Sequence, residues 1–562
     1  MKKFYISFAV SVLTVAATAQ NFSWVKQFSG NAYSDARVVT TDVSGNVYVA
    51  GVFSDTVDLD PGPETFTLAS VGNENVYIMK LNSSGTALWG KQIGGNDPRN
   101  IKVNSNGDIY LTGLFGTSGI DFDPGPGTYT LSYSGLNDIF IMKMDNNGNF
   151  IWAESMGTSN DEYTAHNGLA LDASGNLLIT GTFINTIDVD PGPATVNLTS
   201  AGMQDAFLLM LDPSGAFVWV KQISGTNSEI LRPVTIDNGG NILLAGDFGG
   251  TTDFDPGAGV FNMTASGSLD VFICKLSATG NFIWAKQFAG TAYTSAGAIV
   301  TDASGSIIME GGFIATVDMD PSPATYTFTT SAILNRGDVF IVKLNSSGNF
   351  IWAAQLGDPT AADDANNLAV DNAGNIYTAG NFDGSNADYD PGPGAYILSS
   401  SGNSDFFFCE LTSSGNFSDA FSIGSANDEV LWDMNLHSSG AIYIGGSFWG
   451  TCDFDPGPST AILSPVGNPD AFLVKLLSAT AGIKDHVIDR PVNVFPNPGN
   501  GIYLMQLPEP ATIRITNGLG STITEFQHDN ESDINISAYP AGIYFIEATC
   551  RQKCYHAKLI KE

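Results

Sequence analysis

"VDLDPGPETFTL", residues 57–68, returns six times in close variants: "IDFDPGPGTYTL" from Ile120, "IDVDPGPATVNL" from Ile187, "TDFDPGAGVFNM" from Thr252, "VDMDPSPATYTF" from Val317, "ADYDPGPGAYIL" from Ala387 and "CDFDPGPSTAIL" from Cys452. Its second aspartate falls at Asp60, Asp123, Asp190, Asp255, Asp320, Asp390 and Asp455, in steps of 63 to 70 residues. Seven copies at a near-constant period specify a repeat architecture.

Alternation and turn residues read each repeat as strands. In the third, "NGLALDASGNLLITGTF" gives two strands around Asp172 to Asn176, where Gly175 supplies the positive φ of a tight hairpin. The "DVDPGP" connection follows, and "DAFLLMLDPSGAFVWVKQISG" then gives two more strands around Asp212 to Gly215. Four antiparallel strands per repeat describe a propeller blade, and blades bury their faces only by stacking around an axis. Trp24, Trp89, Trp152, Trp219, Trp284 and Trp352 recur once per repeat and suit packing between blades, whereas Asp419 stands at the seventh expected place. The last repeat stops after "DAFLVKLLSATAG" without a "WVKQ" strand, and an orphan one, "NFSWVKQFSG", opens the chain at residue 21. The expected fold is therefore all-β, a seven-bladed propeller closed by its N-terminal strand, with residues 22–29 pairing near 471–477; closure leaves no free sheet edge.

The "D-x-S-G-N-x-Y-x-x-G" and "D-x-F-x-x-K-L" strings resemble the seven-bladed β-propeller repeats of many secreted bacterial proteins, over residues 22 to 480. Beyond Gly482 the pattern changes. "VFPNPGNG" (494–501), "IRITNGLG" (513–520), "YPAGIYFI" (539–546) and the near-terminal "KLIK" are similar to the C-terminal sorting domain of type IX secretion cargo in Bacteroidetes-type bacteria. That resemblance implies a small β-sandwich, the type IX secretion machinery as partner, export across the outer membrane, and secretion or attachment to the cell surface.

The N-terminus fits export. "MKKFYISFAVSVLTVAATAQ" has two lysines, an apolar stretch from Phe4 to Ala16 and a small-x-small site at Ala17 to Ala19, the pattern of a signal peptide. The expected organisation is signal peptide 1–19, propeller 20–482, linker 483–491 and sorting domain 492–562. No later run is long and apolar enough for a transmembrane helix. Cys274, Cys409 and Cys452 read as buried thiols, and Cys550 and Cys554, in two strands around a short turn, stand where a disulfide can form. The formal charge of −34 is concentrated in residues 20–484, which hold 48 acidic and 15 basic residues. Such a field excludes nucleic acid as a partner and favours cations or basic partners.

Tight turns join strands one to two and three to four, so the long connections and the blade crossings share the opposite face, where function is to be sought. In each "DxDPGP" copy the two carboxylates point the same way along an extended strand. The pairs are Asp58 and Asp60, Asp121 and Asp123, Asp188 and Asp190, Asp253 and Asp255, Asp318 and Asp320, Asp388 and Asp390, and Asp453 and Asp455. Hard oxygen ligands at this spacing suit Ca²⁺, while Asp before Pro-Gly also forms turns; the turn-structural reading is preferred for most copies. Arg37, Arg99 and Arg232 precede the expected innermost strands, with Tyr33, Asp97, Asp161, Glu162 and Tyr163 in similar crossings. An arginine cluster over the axis is shared with sialidases, which use a Tyr nucleophile, but the "S-x-D-x-G-x-T-W" box is not matched. His166, His437, His486, His528 and His556 show no metal or triad spacing and read as solvated singles. The sequence thus supports a surface propeller that binds a glycan or protein or acts as a structural scaffold, with no convincing catalytic constellation and a sialidase-like glycosidase as the alternative.

Overall fold

The computed structural model describes residues 21–62, 64–159, 162–330, 337–477, 493–495, 497–506, 511–517, 522–528, 531–550 and 553–561. The segments read as signal peptide and linker, and Asp161, lie outside the described residues. Two compact units emerge, Met1–Ala481 and Gly482–Glu562.

The first unit contains seven four-stranded antiparallel blades, two of which extend through a short hairpin of the next connection into six-stranded sheets. Six are formed by strands in chain order, as in Glu229–Ile236, Ile242–Phe248, Asp270–Leu276 and Phe282–Phe288, where the short hairpin Thr251–Asp253 and Asn262–Thr264 intervenes between the second and third. The seventh joins Glu429–Leu436, Ala441–Phe448 and Asp470–Leu477 to Asn21–Gly30 from the other end of the chain. In that pairing Phe22 lies opposite Leu476 and Phe28 opposite Ala471. The middle two strands of the first six blades are mostly apolar, and nearly all of their residues, including single charged ones such as Asp205, Lys275 and Glu310, are buried because a neighbouring blade covers each face. Buried side chains of this unit fall into seven clusters, each drawn from two adjacent blades, and one of them, with Val49 and Tyr77 against Tyr443 and Leu473, joins the last blade to the first.

Four of the once-per-repeat tryptophans latch their blade to the next by a hydrogen bond. Trp24 Nε1–H donates to Ser83 O (3.4 Å), Trp89 to Asn146 O (3.2 Å), Trp152 to Pro213 O (3.3 Å) and Trp352 to Ser413 O (3.4 Å), each acceptor lying in the second tight turn of the following blade. The turn glycines serve this contact twice. Gly85 holds φ +79°, and a Cβ there would lie 3.2 Å from the Trp24 ring. Asp419 now has an explanation. Its following blade takes its third and fourth strands, Asp470–Leu477 and Asn21–Gly30, from opposite ends of the chain, so no tight turn joins them and a tryptophan would have nothing to latch.

The second unit packs a three-stranded sheet (Asn493–Phe495, Ile502–Gln506, Glu531–Asn535) and a four-stranded sheet (Ala511–Asn517, Thr522–His528, Gly542–Cys550, Lys553–Lys561) around one core containing Tyr503, Met505, Ile513, Ile546 and Leu559. Cys550 and Cys554 stand on paired strands with Cys550 opposite Lys553; their side chains lie outside the described residues. Cys274, Cys409 and Cys452 are buried free thiols, as expected.

Candidate functional site

The fourteen aspartates of the repeated loops are brought together only in pairs, one pair per connection, and their geometry recurs. Asp58 Oδ1 accepts the N–H of Asp60 (3.0 Å) and of Phe66 (2.8 Å), while Asp60 Oδ1 accepts that of Gly62 (2.7 Å). The same three bonds tie Asp121 to Asp123 and Tyr129, Asp188 to Asp190 and Val196, Asp253 to Asp255 and Phe261, Asp318 to Asp320 and Tyr326, Asp388 to Asp390 and Tyr396, and Asp453 to Asp455 and Ala461, with Asp123, Asp190, Asp255, Asp320, Asp390 and Asp455 each capping the residue two further on. The residue between the pair is the loop's anchor. Leu59, Phe122, Val189, Phe254, Met319, Tyr389 and Phe454 are all buried, so strand alternation turns both neighbouring carboxylates outward. Among the described residues no group of three or more His, Cys, Asp or Glu side chains converges as a metal site.

The axis carries a different constellation. Every innermost strand contains a bulge, an extra residue with no partner in the second strand. Pairing skips Arg99 between Pro98 and Asn100, residues 232 and 233 between Leu231 and Val234, Gly297 between Ala296 and Ala298, Asn366 between Ala365 and Asn367, and Trp432 between Leu431 and Asp433. The third blade has the longest one, residues 165–168. In the first, Ser34 pairs with Phe53 and Val38 with Ala50, which leaves one extra residue around Arg37. Arg99 and Arg232 therefore lie within the innermost strands rather than ahead of them.

A bulge frees a backbone N–H, and side chains of the preceding blade take it up. Asn100 Oδ1 accepts Gly168 N–H (2.8 Å), Asn367 Oδ1 accepts Met434 N–H (2.9 Å) and Asp433 Oδ2 accepts Val39 N–H (2.7 Å). The displaced residues line a cavity of about 870 Å³ along the axis, with Arg99, His166, Arg232, Asn366 and Trp432 among its walls and Lys102 and Asp433 also facing it. Because Ser34 pairs with Phe53, where the long connection begins, the bulges open on the face carrying the "DxDPGP" loops.

Charge in this mouth is densely networked. Buried Asp35 accepts Arg37 Nε (2.6 Å) and the Tyr33 hydroxyl (2.5 Å), and Arg37 Nη1 crosses to Asp97 (2.7 Å) in the next blade. Asp97 also holds Arg99 through Nε (2.7 Å) and Nη2 (2.5 Å). Arg232 Nε bonds buried Asp247 (2.9 Å), whose other oxygen accepts Ala296 N–H (2.7 Å). Burial, then the guanidinium of Arg99, hold the His166 imidazole down to about 4, so it is neutral at physiological pH. His166 is thus half-buried in the cavity wall, not a solvated single. Burial pushes the Asp433 carboxyl up to about 6 and lowers the ammonium of Lys102. Glu162 faces elsewhere and accepts from Thr158 N–H (2.8 Å), whereas Tyr163 lines the cavity. Sequence reading missed Asn366, Trp432 and Asp364. For Asn366 and Trp432 the signal lay in the repeat alignment: residues 37, 99, 167, 232, 297, 366 and 432 each stand five before the first residue of the first tight turn, and they read Arg, Arg, Asn, Arg, Gly, Asn and Trp.

Residues 493–562 match the secretion-system C-terminal sorting domain, and residues 351–386 match the β-propeller repeat family. The chain is a secreted β-propeller with a type IX sorting tail. That tail engages the type IX secretion machinery and directs the propeller to the cell surface or the medium. No helix among the described residues is long and apolar enough to cross a membrane. An uncharacterized WD repeat-containing protein of Acanthamoeba polyphaga mimivirus is 24% identical over 425 residues, 64% of this chain and 30% of the relative, so the chain spans less than a third of that protein's length. Among solved structures, the Dos1 propeller is 10% identical with a TM-score of 0.38, covering 81% of this chain and 95% of that one. An ulvan lyase of polysaccharide lyase family PL25 is 12% identical with a TM-score of 0.40, covering 75% and 93%. A Bacteroides caccae protein of unknown function is 9% identical with a TM-score of 0.30, covering 62% and 89%.

Proposed function

We propose that this secreted propeller is a binding module and that its site is the axial mouth, with a glycan as ligand. The observation that carries this reading is the bulge in every innermost strand, which brings Arg99, Asn167, Arg232, Asn366 and Trp432 from five blades to one cavity on the axis. A regular ladder needs no such device, and bulges re-aim side chains at functional sites. The cavity, at about 870 Å³, has the size of a small-ligand pocket and is lined by guanidinium, amide, imidazole, carboxylate and indole groups, a set that matches the hydroxyls and apolar face of a sugar. A protein ligand would need a far broader surface than this pit offers.

The organisation proposed with it is a signal peptide of residues 1–19, a propeller of 20–482, a linker of 483–491 and a sorting domain of 492–562. A glycan array probed with the full chain and with Trp432→Ala and Asn366→Ala tests the reading. Signals that both substitutions abolish support it, and signals that neither changes place the site elsewhere.

A structural or adhesive role is the second reading, favoured by one contact. Asn167 Nδ2 donates to Asn366 O at 2.8 Å, and since the third and sixth blades are not neighbours in the ring, this bond crosses the axis. Asn167 holds φ +59° to make it. An array blank for all glycans would favour this role.

A further inference from the structure

Three of the four arginines between residues 20 and 480, Arg37, Arg99 and Arg232, lie at the axial mouth of a chain whose net charge is −34. Their hydrogen bonds are unevenly spent. Arg37 uses Nε on Asp35, Nη1 on Asp97 and Nη2 on the Tyr33 hydroxyl. Arg99 uses Nε and Nη2 on the single carboxylate of Asp97, which leaves Nη1. Arg232 uses only Nε, which leaves both terminal nitrogens, and its side chain is 35% exposed. Lys102, in the same cavity, acts electrostatically with the Asp433 carboxylate. Asp35, Asp97 and Asp247 are occupied; the other carboxylates in the cavity are Asp364, which accepts from Asn366 Nδ2 (3.1 Å) through one oxygen and acts electrostatically on Arg232, and Asp433, which acts on Lys102, so the free terminal nitrogens of Arg99 and Arg232 are the uncommitted guanidinium edges of the mouth.

Resting on the axial binding reading, we propose that the ligand is an acidic glycan, and that one carboxylate or sulfate ester of a sugar residue is taken by the free guanidinium edges of Arg232 and Arg99 beside the Trp432 ring. Guanidinium binds such planar or branched oxyanions through paired N–H donors, with added strength where water is partly excluded. Trp432 is built as a fixed wall: its Nε1–H donates to Ser447 Oγ (3.2 Å) and Arg37 stands 5.3 Å from its ring. His166 reports on the same field. Arg99, Arg37 and Arg232 all act to keep its proton off, and only Asp97 opposes them, so an anion seated among the three must raise its affinity for a proton.

The test is calorimetric titration of the full chain with tetragalacturonate, a sulfated carrageenan tetrasaccharide and neutral maltotetraose, with the histidine ring resonances followed through a pH titration in parallel. Binding of either acidic probe at least tenfold tighter than maltotetraose, weakening with salt and raising the pH at which His166 titrates, is the expected result; which acidic probe binds identifies the anion. Arg232→Gln should cost tenfold or more in affinity for it. Arg99→Gln guards against misfolding, because Arg37 still holds Asp97 in that variant, and it should weaken binding with an unchanged melting temperature. Equal binding of maltotetraose, lost in Trp432→Ala, would overturn the acidic class while leaving the axial binding reading intact. Absence of binding by all three, together with an array unaffected by Trp432→Ala and Asn366→Ala, would overturn both.

Discussion

Asp433 accepts the backbone N–H of Val39 at 2.7 Å, and this bond ties the innermost strand of the last blade to that of the first. Asn100 and Asn367 occupy the same place in their own blades and perform the same task with an amide oxygen. The chain thus contains its own control for the role of charge here. Asp433→Asn keeps the acceptor and should leave stability within about 0.5 kcal/mol, whereas Asp433→Leu strands the Val39 N–H and should cost about 1–3 kcal/mol. Equilibrium urea unfolding of the two variants distinguishes them, and equal losses would mean that the carboxylate acts by charge.

Closure through the N-terminal strand makes a second prediction. Residues 21–30 bring Trp24 and buried Phe28 to the seventh blade and run its full length against Asp470–Leu477. Deleting residues 20–29 should lower stability by more than about 3 kcal/mol, since losing one large buried aromatic alone costs that much. A melting temperature unchanged by the deletion would contradict the pairing.

A third prediction concerns a bond that two blades lack. Gln27, Gln222, Gln287 and Gln355 each donate to the buried carboxylate that opens the neighbouring strand, at Asp470, Asp205, Asp270 and Asp338. The corresponding residues in the second and sixth blades are Ser155 and Ser422, and there Asp138 Oδ1 and Asp405 Oδ1 are buried without a partner. Ser155→Gln and Ser422→Gln should therefore each stabilise the fold by about 1 kcal/mol. Scanning calorimetry reads this directly, and a lowered melting temperature would show that the longer side chain does not fit.

Much of this architecture was legible in the sequence because a seven-fold repeat displays its constraints seven times. The orphan "SWVKQF" strand, the tryptophans and the turn glycines each recur in register, so their absence at one place, as at Asp419, marks where the chain ends meet. The axial site was legible only in part. Its residues are those in which the repeats differ, and difference carries no meaning until a bulge is seen to place Arg99, Asn366 and Trp432 at one height on the axis. Strand alternation hides such a bulge, because one extra residue shifts every later side chain to the other face and the reading resumes as though nothing had intervened.

Buried carboxyls give the fourth prediction, a fall in stability with rising pH. Burial pushes Glu310 from an ordinary value of 4.5 up to about 8; its Oε2 accepts the Thr378 hydroxyl (2.6 Å) and its Oε1 has no partner. Asp363 is likewise raised to about 8 by burial, and Glu229 and Glu429 to about 7. Each binds its proton more tightly folded than unfolded, so the stability it contributes is full below the ordinary value and is lost as pH climbs through the raised one. His166, held down to about 4, acts in the opposite sense between 4 and 6.5. Comparing pH 6.5 with pH 8.5 therefore weights the carboxyls over His166, and the thiols of Cys274, Cys409 and Cys452, raised by burial, act in the same direction only near the top of that range. Unfolding should need less urea at pH 8.5, and Glu310→Gln should shrink the difference between the two pH values.

The repeated loops separate two roles for their aspartates. Were the pairs Ca²⁺ sites, the propeller would gain stability by mass action, about 2.7 kcal/mol per site at a hundredfold excess of the ion over its dissociation constant. The hydrogen bonds speak for the turn role: Asp58 Oδ1 already accepts two backbone N–H groups and Asp60 Oδ1 a third, and the pattern persists where Ser322 replaces the loop glycine and Ala258 the second proline. A string whose Pro and Gly vary while its carboxylates and their backbone bonds stay is defined by those bonds. Asp60→Ala should then cost about 1 kcal/mol and Asp58→Ala more, because it releases two donors rather than one. Chelator should leave the melting temperature unchanged. Calorimetry of chelator-stripped protein with and without millimolar Ca²⁺ decides between the roles: coincident scans with Asp58→Ala costlier than Asp60→Ala establish the turn role, and an upward shift on adding Ca²⁺ that both substitutions diminish establishes the ion.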